Sequence, residues 1–337
     1  MKLLLLGADG QVGTALRRAL APLGELVALG RAGADGLRGD LTDPDAIRAT
    51  IQTCAPDIII NAAAYTAVDR AESEPALAHA VNAVAPGVLA EEARALDAWL
   101  VHYSTDYVFD GSGAQPWSED DATGPLNVYG ASKLAGEQAV RDAGARHLIF
   151  RTSWVYAATG SNFLRTMLRL ARDRDGLQVV DDQIGAPTSA ELIADVTAYA
   201  IRRVTAADGA ERGAALHSDG ASSGAPRGLP PSGAAAGTLA VLADGSGTYH
   251  LVPRGETSWF DYARHLIAVA RESGHTVRVA QDAIWPVPST MFPTAAQRPH
   301  NSRLAVDRLE LTFALRMPDW ESGVTATVRQ ILASPLG

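Results

Sequence analysis

Leu3-Leu4-Leu5-Leu6-Gly7-Ala8-Asp9-Gly10-Gln11-Val12-Gly13 is the stretch that decides the fold. Its four leucines form an unbroken apolar run, the pattern of a central parallel strand buried on both faces. Gly7, Gly10 and Gly13 then space out a Gly-x-x-Gly-x-x-Gly pattern, followed by a helical segment over residues 14–23, a stop at Gly24 and a second strand over residues 26–29. In that order the glycines have a physical role. The first two permit a tight turn and let backbone N–H groups approach a pyrophosphate, and the third lets helix and strand pack closely. The expected fold is α/β, a Rossmann-like doubly wound parallel sheet that binds a dinucleotide.

Working outward, the end of the second strand bears on the cofactor. An adenosine ribose with a free 2′-hydroxyl calls for an acid there. The positions after Leu29 are Gly30 and Arg31. A guanidinium at this point suits a 2′-phosphate, so NADPH is expected, with NADH as the alternative. Asp40 and Leu41 fall where a third strand should end, beside the adenine, and Asp43-Pro44 read as the cap and first turn of a helix. Residues 57–61 predict a fourth strand running into Ala62-Ala63-Ala64. Small side chains at a strand's carboxyl end let a cofactor lie against the backbone, where the crevice of such a sheet opens. Residues 65–69 continue as a loop near the expected nicotinamide, and a helix over 76–97 follows, with Asn82 in its middle.

The fifth strand, residues 99–103, delivers Ser104 and Thr105 to the same rim. Tyr129 and Lys133 stand four residues apart at the start of a helix over 129–141, so they share one face. A free tyrosine, with a pKa near ~10, is a poor proton carrier at neutral pH, and an adjacent ammonium favours its phenolate. With the Thr105 hydroxyl in reach, this set predicts a carbonyl/alcohol redox centre. His102 reads as a packed strand residue rather than a base. After a sixth strand over 147–151 comes Trp154, a flat apolar surface that could stack a sugar or base.

Beyond Trp154 the β/α alternation weakens. Helices are expected over 162–172, 190–203 and 259–273, strands over 177–180 and 249–252, and final helices from Val306 and Trp320. Residues 205–247 are dominated by Ala, Gly, Ser and Pro and read as a flexible insertion. Arg298, followed by Pro299 in an otherwise uncharged stretch, suits a diphosphate contact. These elements divide into a dinucleotide-binding domain (1–155, 187–204 and 248–270) and a smaller, discontinuous α/β substrate domain (156–186 and 271–337).

Bulk properties exclude several classes. With 337 residues and a net charge of −9, no general attraction to nucleic acid is expected. The single Cys54 excludes an intrachain disulfide and fits a reducing compartment. The apolar run after Lys2 stops at Gly7, short of the roughly 7–15 residues of a signal-peptide core. No run of ~18 apolar residues predicts a membrane span. A cytoplasmic protein is the expectation.

With these residues assembled, the chain resembles the dTDP-4-dehydrorhamnose reductases, a family of extended short-chain dehydrogenases whose glycine spacing is the wider one seen here. The resemblance spans nearly the whole chain. It rests on residues 7–13, 61–66, 71–75, 103–111, 125–130, 150–156 and 182–188, and on Arg298-Pro299. The 205–247 stretch departs from it, since the family has a short connection there. The resemblance implies NAD(P)H-dependent reduction of a dTDP-sugar ketone in dTDP-rhamnose biosynthesis, for cell-surface polysaccharide such as lipopolysaccharide. Tyr129 would be the catalytic acid. Lys133 would hold the cofactor ribose and lower the tyrosine pKa, and Thr105 would hydrogen-bond the reacting oxygen. Gly7, Gly10, Gln11, Val12, Gly13, Arg31, Asp40, Leu41, Ala63, Ala64 and Tyr65 would line the cofactor. Val68, Asp106, Tyr107, Trp154 and Arg298 would face the substrate. Some family members hold Mg²⁺ through glutamates at a homodimer contact. Glu191 matches one such position, while residues 289–293 offer no carboxylate. The alternatives are another sugar-nucleotide 4-reductase or epimerase, and a non-catalytic dinucleotide-binding subunit such as the regulatory subunit of methionine adenosyltransferase.

Overall fold

The computed structural model describes residues 1–218 and 245–333. The chain opens with β1 (Lys2–Leu6), α1 (Gln11–Leu20), β2 (Glu25–Leu29), α2 (Pro44–Cys54) and β3 (Ile58–Asn61). Short helices α3 (Val68–Ala71) and α4 (Pro75–His79) lead to α5 (Ala85–Ala95), β4 (Trp99–Thr105), α6 (Val128–Ala143) and β5 (Arg146–Thr152). Then come β6 (Val155–Tyr156), α7 (Phe163–Asp173), β7 (Leu177–Val180), β8 (Ile184–Gly185), β9 (Thr188–Ser189) and α8 (Ala190–Ser218). The chain closes with β10 (Gly247–His250), β11 (Thr257–Ser258), α9 (Trp259–Glu272), β12 (Ile284–Val287), α10 (Asp307–Phe313) and α11 (Trp320–Ala333).

A six-stranded sheet in the order β2-β1-β3-β4-β5-β10, parallel at every pairing, carries the site. Successive strand side chains point to opposite faces. Leu3 and Leu5 of β1 therefore enter a core with α1 and α8, while Leu4 and Leu6 enter the other with α2 and α5. All four leucines are fully buried, as the apolar run predicts. The register places Leu6 beside Asn61, Asn61 beside His102, and Thr105 beside Thr152. One row of strand ends thus brings the glycine turn, Asn61 and Thr105 to a common rim.

A third core, built from residues such as Leu164, Met167, Tyr262, Leu266, Trp320 and Val324, joins α7, α9 and α11. Two-stranded pairs β7–β12, β8–β11 and β6–β9 frame this smaller lobe. Helix α9 packs here rather than against the large sheet.

Three local expectations change. The third strand ending at Asp40-Leu41 does not form. Instead the backbone N–H of Arg38 donates to Thr50 Oγ1, and that hydroxyl donates to Arg38 O, so a side chain takes the place of a ladder. The helix expected over 76–97 is broken in the middle by a π-helical turn at Ala80–Val84, which contains Asn82. Helix α8 runs to Ser218, past the expected stop at Arg203, so the first part of the 205–247 stretch is helical rather than loop. Residues 219–244 of that stretch lie outside the described residues. No helix among the described residues is long and apolar enough to cross a membrane. Cys54 is buried, and burial pushes its thiol up.

Candidate active site

A cleft of about 1160 Å³ runs along the sheet's carboxyl rim. Gly7, Gly10, Gln11, Val12, Arg31, Asp40, Leu41, Ala63, Ala64, Tyr65, Val68, Thr105, Asp106, Tyr107, Tyr129, Lys133 and Trp154 all border it. Gly13 lies behind the wall, and a side chain there would collide with Gly7 O at 2.0 Å. Gly7 itself has φ +80°, and a Cβ would stand 2.5 Å from Ala63 N, so the turn closes only on glycine. Gly10 caps α1 without a side-chain hydrogen bond. The amides of the first turn therefore lack a side-chain partner beside the cleft, a chemistry that fits a phosphate. Thr152, also on the lining, carries a buried hydroxyl with no hydrogen-bond partner among the described residues.

At the end of the cleft beside the β2 terminus, Arg31 Nε lies 3.4 Å from Asp40 Oδ2, both partly exposed. The carboxylate that meets Arg31 comes from the loop that replaced the third strand. Tyr65 is fixed from below by the π-helical turn. Its N–H donates to Asn82 Oδ1 at 2.8 Å, and Asn82 Nδ2 donates to Tyr65 O at 3.0 Å and to Ser132 Oγ at 3.0 Å. A buried amide in mid-helix was the only sequence signal for this positioning role.

The reaction end is assembled by β4 and α6. Asn127 caps α6 by accepting from Gly130 N at 2.8 Å, which sets Tyr129 in the first turn. Lower on the helix, Glu137 accepts from Arg151 Nη2 at 2.7 Å and Nε at 2.9 Å, clamping α6 to β5. Burial alone would raise the Glu137 carboxyl, but Arg151 brings it below the usual range. Thr105 Oγ1 donates to Asp106 Oδ1 at 3.0 Å and accepts from Tyr107 N at 3.2 Å. Burial raises the Asp106 carboxyl to about 6 against hydrogen bonds from Ser302 and Thr105. Burial also pushes the Tyr129 phenol up to about 12, opposed by a hydrogen bond with Thr105. This is opposite in direction to the lowering expected from Lys133, because loss of solvent around the phenolate outweighs the other contributions. Lys133 is itself driven down to about 8 by burial, against the pull of Glu137. Its Nζ lies 3.4 Å from Nε2 of His102.

Beyond Thr105 the cleft has a double aromatic wall. Trp154 stacks on Trp259 with ring centroids 3.7 Å apart and planes at 15°. Trp154 holds φ +46°, an uncommon conformation for a bulky side chain, of the kind that concentrates at functional sites. Trp259 lines the cleft too, and its Nε1 donates to Gln183 Oε1 at 3.2 Å. Sequence reasoning missed Trp259, because it reaches Trp154 through tertiary packing: the β8–β11 pairing sets Thr257 beside Gly185, against which Trp154 also lies.

Arg298 does not border the cleft. Its guanidinium is engaged by Asp69, at 2.9 Å through Nη1 and 2.7 Å through Nη2. Glu191 sits in the first turn of α8, and among the described residues no three His, Cys, Asp or Glu are grouped to hold a metal ion.

Comparison with known proteins places these features in a family. The model of the RmlD substrate binding domain matches residues 1–223 and 233–333. The chain is 46% identical over 334 residues to the dTDP-4-dehydrorhamnose reductase of Escherichia coli K12, covering 99% of each. It is 43% identical over 333 residues to that of Burkholderia thailandensis, covering 99% of this chain and 100% of the relative. Among solved structures, the Bacillus anthracis dTDP-4-dehydrorhamnose reductase in complex with NADP superposes with a TM-score of 0.76 at 31% identity, covering 98% of this chain and 99% of that one.

Proposed function

The chain belongs to the RmlD substrate binding domain family, and from this we propose that it reduces the C4 ketone of dTDP-4-dehydro-β-L-rhamnose to dTDP-L-rhamnose with NADPH. The observation that carries the chemistry is a half-buried tyrosine beside Thr105 and one helical turn from Lys133, on the rim that holds the glycine turn.

A reduced nicotinamide, when bound, supplies the hydride. The amides of Gly10, Gln11 and Val12 would receive its diphosphate, Arg31 its 2′-phosphate, and Ala63, Ala64 and Tyr65 would lie along it. Asp40 and Leu41 would border the adenine, and Lys133 the ribose. A phenol raised to about 12 keeps its proton at neutral pH. Tyr129 therefore holds that proton at Oη until negative charge develops on the C4 oxygen of the sugar, and delivers it there. General acid help of this kind accelerates a reaction by roughly 10²–10⁴-fold. The Lys133 ammonium supplies electrostatic support, preorganised by burial. Thr105 contributes a hydrogen bond to the same oxygen by turning its hydroxyl away from Asp106. Trp154, Val68, Asp106 and Tyr107 would face the substrate, and Arg298 would reach its diphosphate by exchanging Asp69 for a phosphate. The implied homodimer is checked by sedimentation of the purified full-length chain.

The test is a parallel assay of dTDP-, UDP- and GDP-linked 4-keto-6-deoxy sugars. Oxidation of NADPH with the dTDP-linked sugar, well above the other two, is the expected result. Equal or faster turnover of a UDP- or GDP-linked sugar would move the enzyme to another sugar-nucleotide reductase. Tight NADPH binding with no ketone-dependent oxidation would make it a binding subunit.

A further inference from the structure

Behind Lys133 lies a polar chain that the mechanism above does not use. Asn61, His102 and Lys133 are all buried, and His102 is fully so. Asn61 Oδ1 accepts the N–H of Ala63 at 3.2 Å, on the cofactor side of the rim. That bond orients the amide. Its Nδ2, which can only donate, faces His102 Nδ1 at 3.1 Å. Flipping the amide would set two donors against each other at Ala63. His102 Nδ1 must therefore accept, and in a neutral imidazole the proton then resides on Nε2. Burial, first, and the neighbouring Lys133 hold His102 well below its usual pKa, so the neutral ring is the relevant form. The Nε2–H points at Lys133 Nζ, 3.4 Å away. An ammonium has three donors and no acceptor, so it gains nothing from an N–H aimed at it, whereas a neutral amine can accept that hydrogen bond.

We propose that Asn61 and His102 form a tautomer lock, in which Asn61 fixes the imidazole proton on Nε2 and that N–H sets how readily Lys133 carries its charge. The proposal rests on the functional reading above only for its consequence in the rate. His102 is a positioning residue, acting through Lys133, and Asn61 ties that lysine to the Ala63 loop. The other charged and titratable groups around the lysine are Tyr129 and Glu137 on its own helix, with Arg151 of β5 ion-paired to Glu137. His147 of β5 acts on His102. None of them offers an N–H to Nζ among the described hydrogen bonds.

The sequence makes the test direct, because Lys133 is one of only two lysines, the other being Lys2. Selective ¹³C labelling of lysine in the full-length chain reads the Lys133 titration midpoint, and long-range ¹H–¹⁵N spectra of labelled histidine read the His102 tautomer. The lock predicts a bare Nδ1 and a protonated Nε2 in the native protein. His102→Gln can turn an amide oxygen toward the ammonium, so it should raise the midpoint by about half a pH unit or more. The alkaline limb of kcat/KM for ketone reduction should rise with it. A proton on Nδ1, or a midpoint unmoved or lowered in His102→Gln, would overturn the lock. If His102→Gln does not fold, the native tautomer still decides. Both spectra are independent of turnover, so a failed assay on dTDP-4-dehydrorhamnose would sink the functional reading without touching this one.

Discussion

At the residue scale, the pairing of Tyr129 with Lys133 was legible from a spacing of four, because one helical turn is fixed by backbone geometry. Their protonation was not. Burial is a property of the fold, and it raises Tyr129 to about 12 and lowers Lys133 to about 8. Across neutral pH the phenol stays protonated and can serve as the acid, so it sets no limb there. Lys133 is charged below about 8 and loses its proton above it. Activity should therefore fall as pH rises through about 8, and a pH profile of kcat/KM that stays flat up to about 10 would remove Lys133 from the rate. Lys133→Met should weaken NADPH binding as well as lower the rate. Arg31 is a second residue-scale case. If its guanidinium meets a 2′-phosphate, Arg31→Ala should raise the KM for NADPH about tenfold or more and leave that for NADH nearly unchanged, as a paired cofactor titration would reveal. His102 shows the limit of sequence reasoning from the other side. It reads as packing, and it is packed, but only the paired strands reveal that it faces Asn61 and Lys133.

At the element scale, β1, the glycine turn and α1 were readable because their signals are local: an apolar run, fixed glycines and helical periodicity. The third strand was predicted from architecture alone, by counting strands in a doubly wound sheet, and the chain satisfies that backbone differently. Thr50 on α2 bonds both the N–H and the carbonyl of Arg38. Thr50→Val would leave both groups short of a partner, at a cost of about 1–3 kcal/mol in urea unfolding, with Asp40 and Leu41 released from their place at the cleft. An unchanged midpoint would show that this loop is held some other way. The Trp154–Trp259 wall could not be read, since its two halves belong to segments distant in sequence that meet around Gly185 of β8. Stacked aromatic pairs contribute about 0.5–1.5 kcal/mol beyond their buried area. Trp259→Leu should accordingly raise the KM for the sugar nucleotide several-fold, leave the KM for NADPH alone, and be largely rescued by Trp259→Phe. Parallel rises in both constants would instead point to a general loss of structure.

At the scale of the whole molecule, the proposed reaction asks an acidic chain to receive two anionic ligands. On that reading, helix amides at the glycine turn and Arg31 at the far end would offset a net charge of −9 locally. The register of the parallel sheet makes this possible by bringing the ends of β1, β3, β4 and β5 to one rim, so that residues spread from Gly7 to Trp154 meet in a single cleft. On the proposed reading, this cleft reduces a dTDP-linked 4-keto sugar with Tyr129 as the acid. The most direct test is a coupled assay in which the sugar ketone is generated by its epimerase and NADPH oxidation is followed for the native enzyme beside Tyr129→Phe. Rapid dTDP-sugar-dependent oxidation is expected for the native chain, and for the variant a loss of about 10²-fold or more in turnover with cofactor binding retained. Near-native turnover in Tyr129→Phe would contradict that reading.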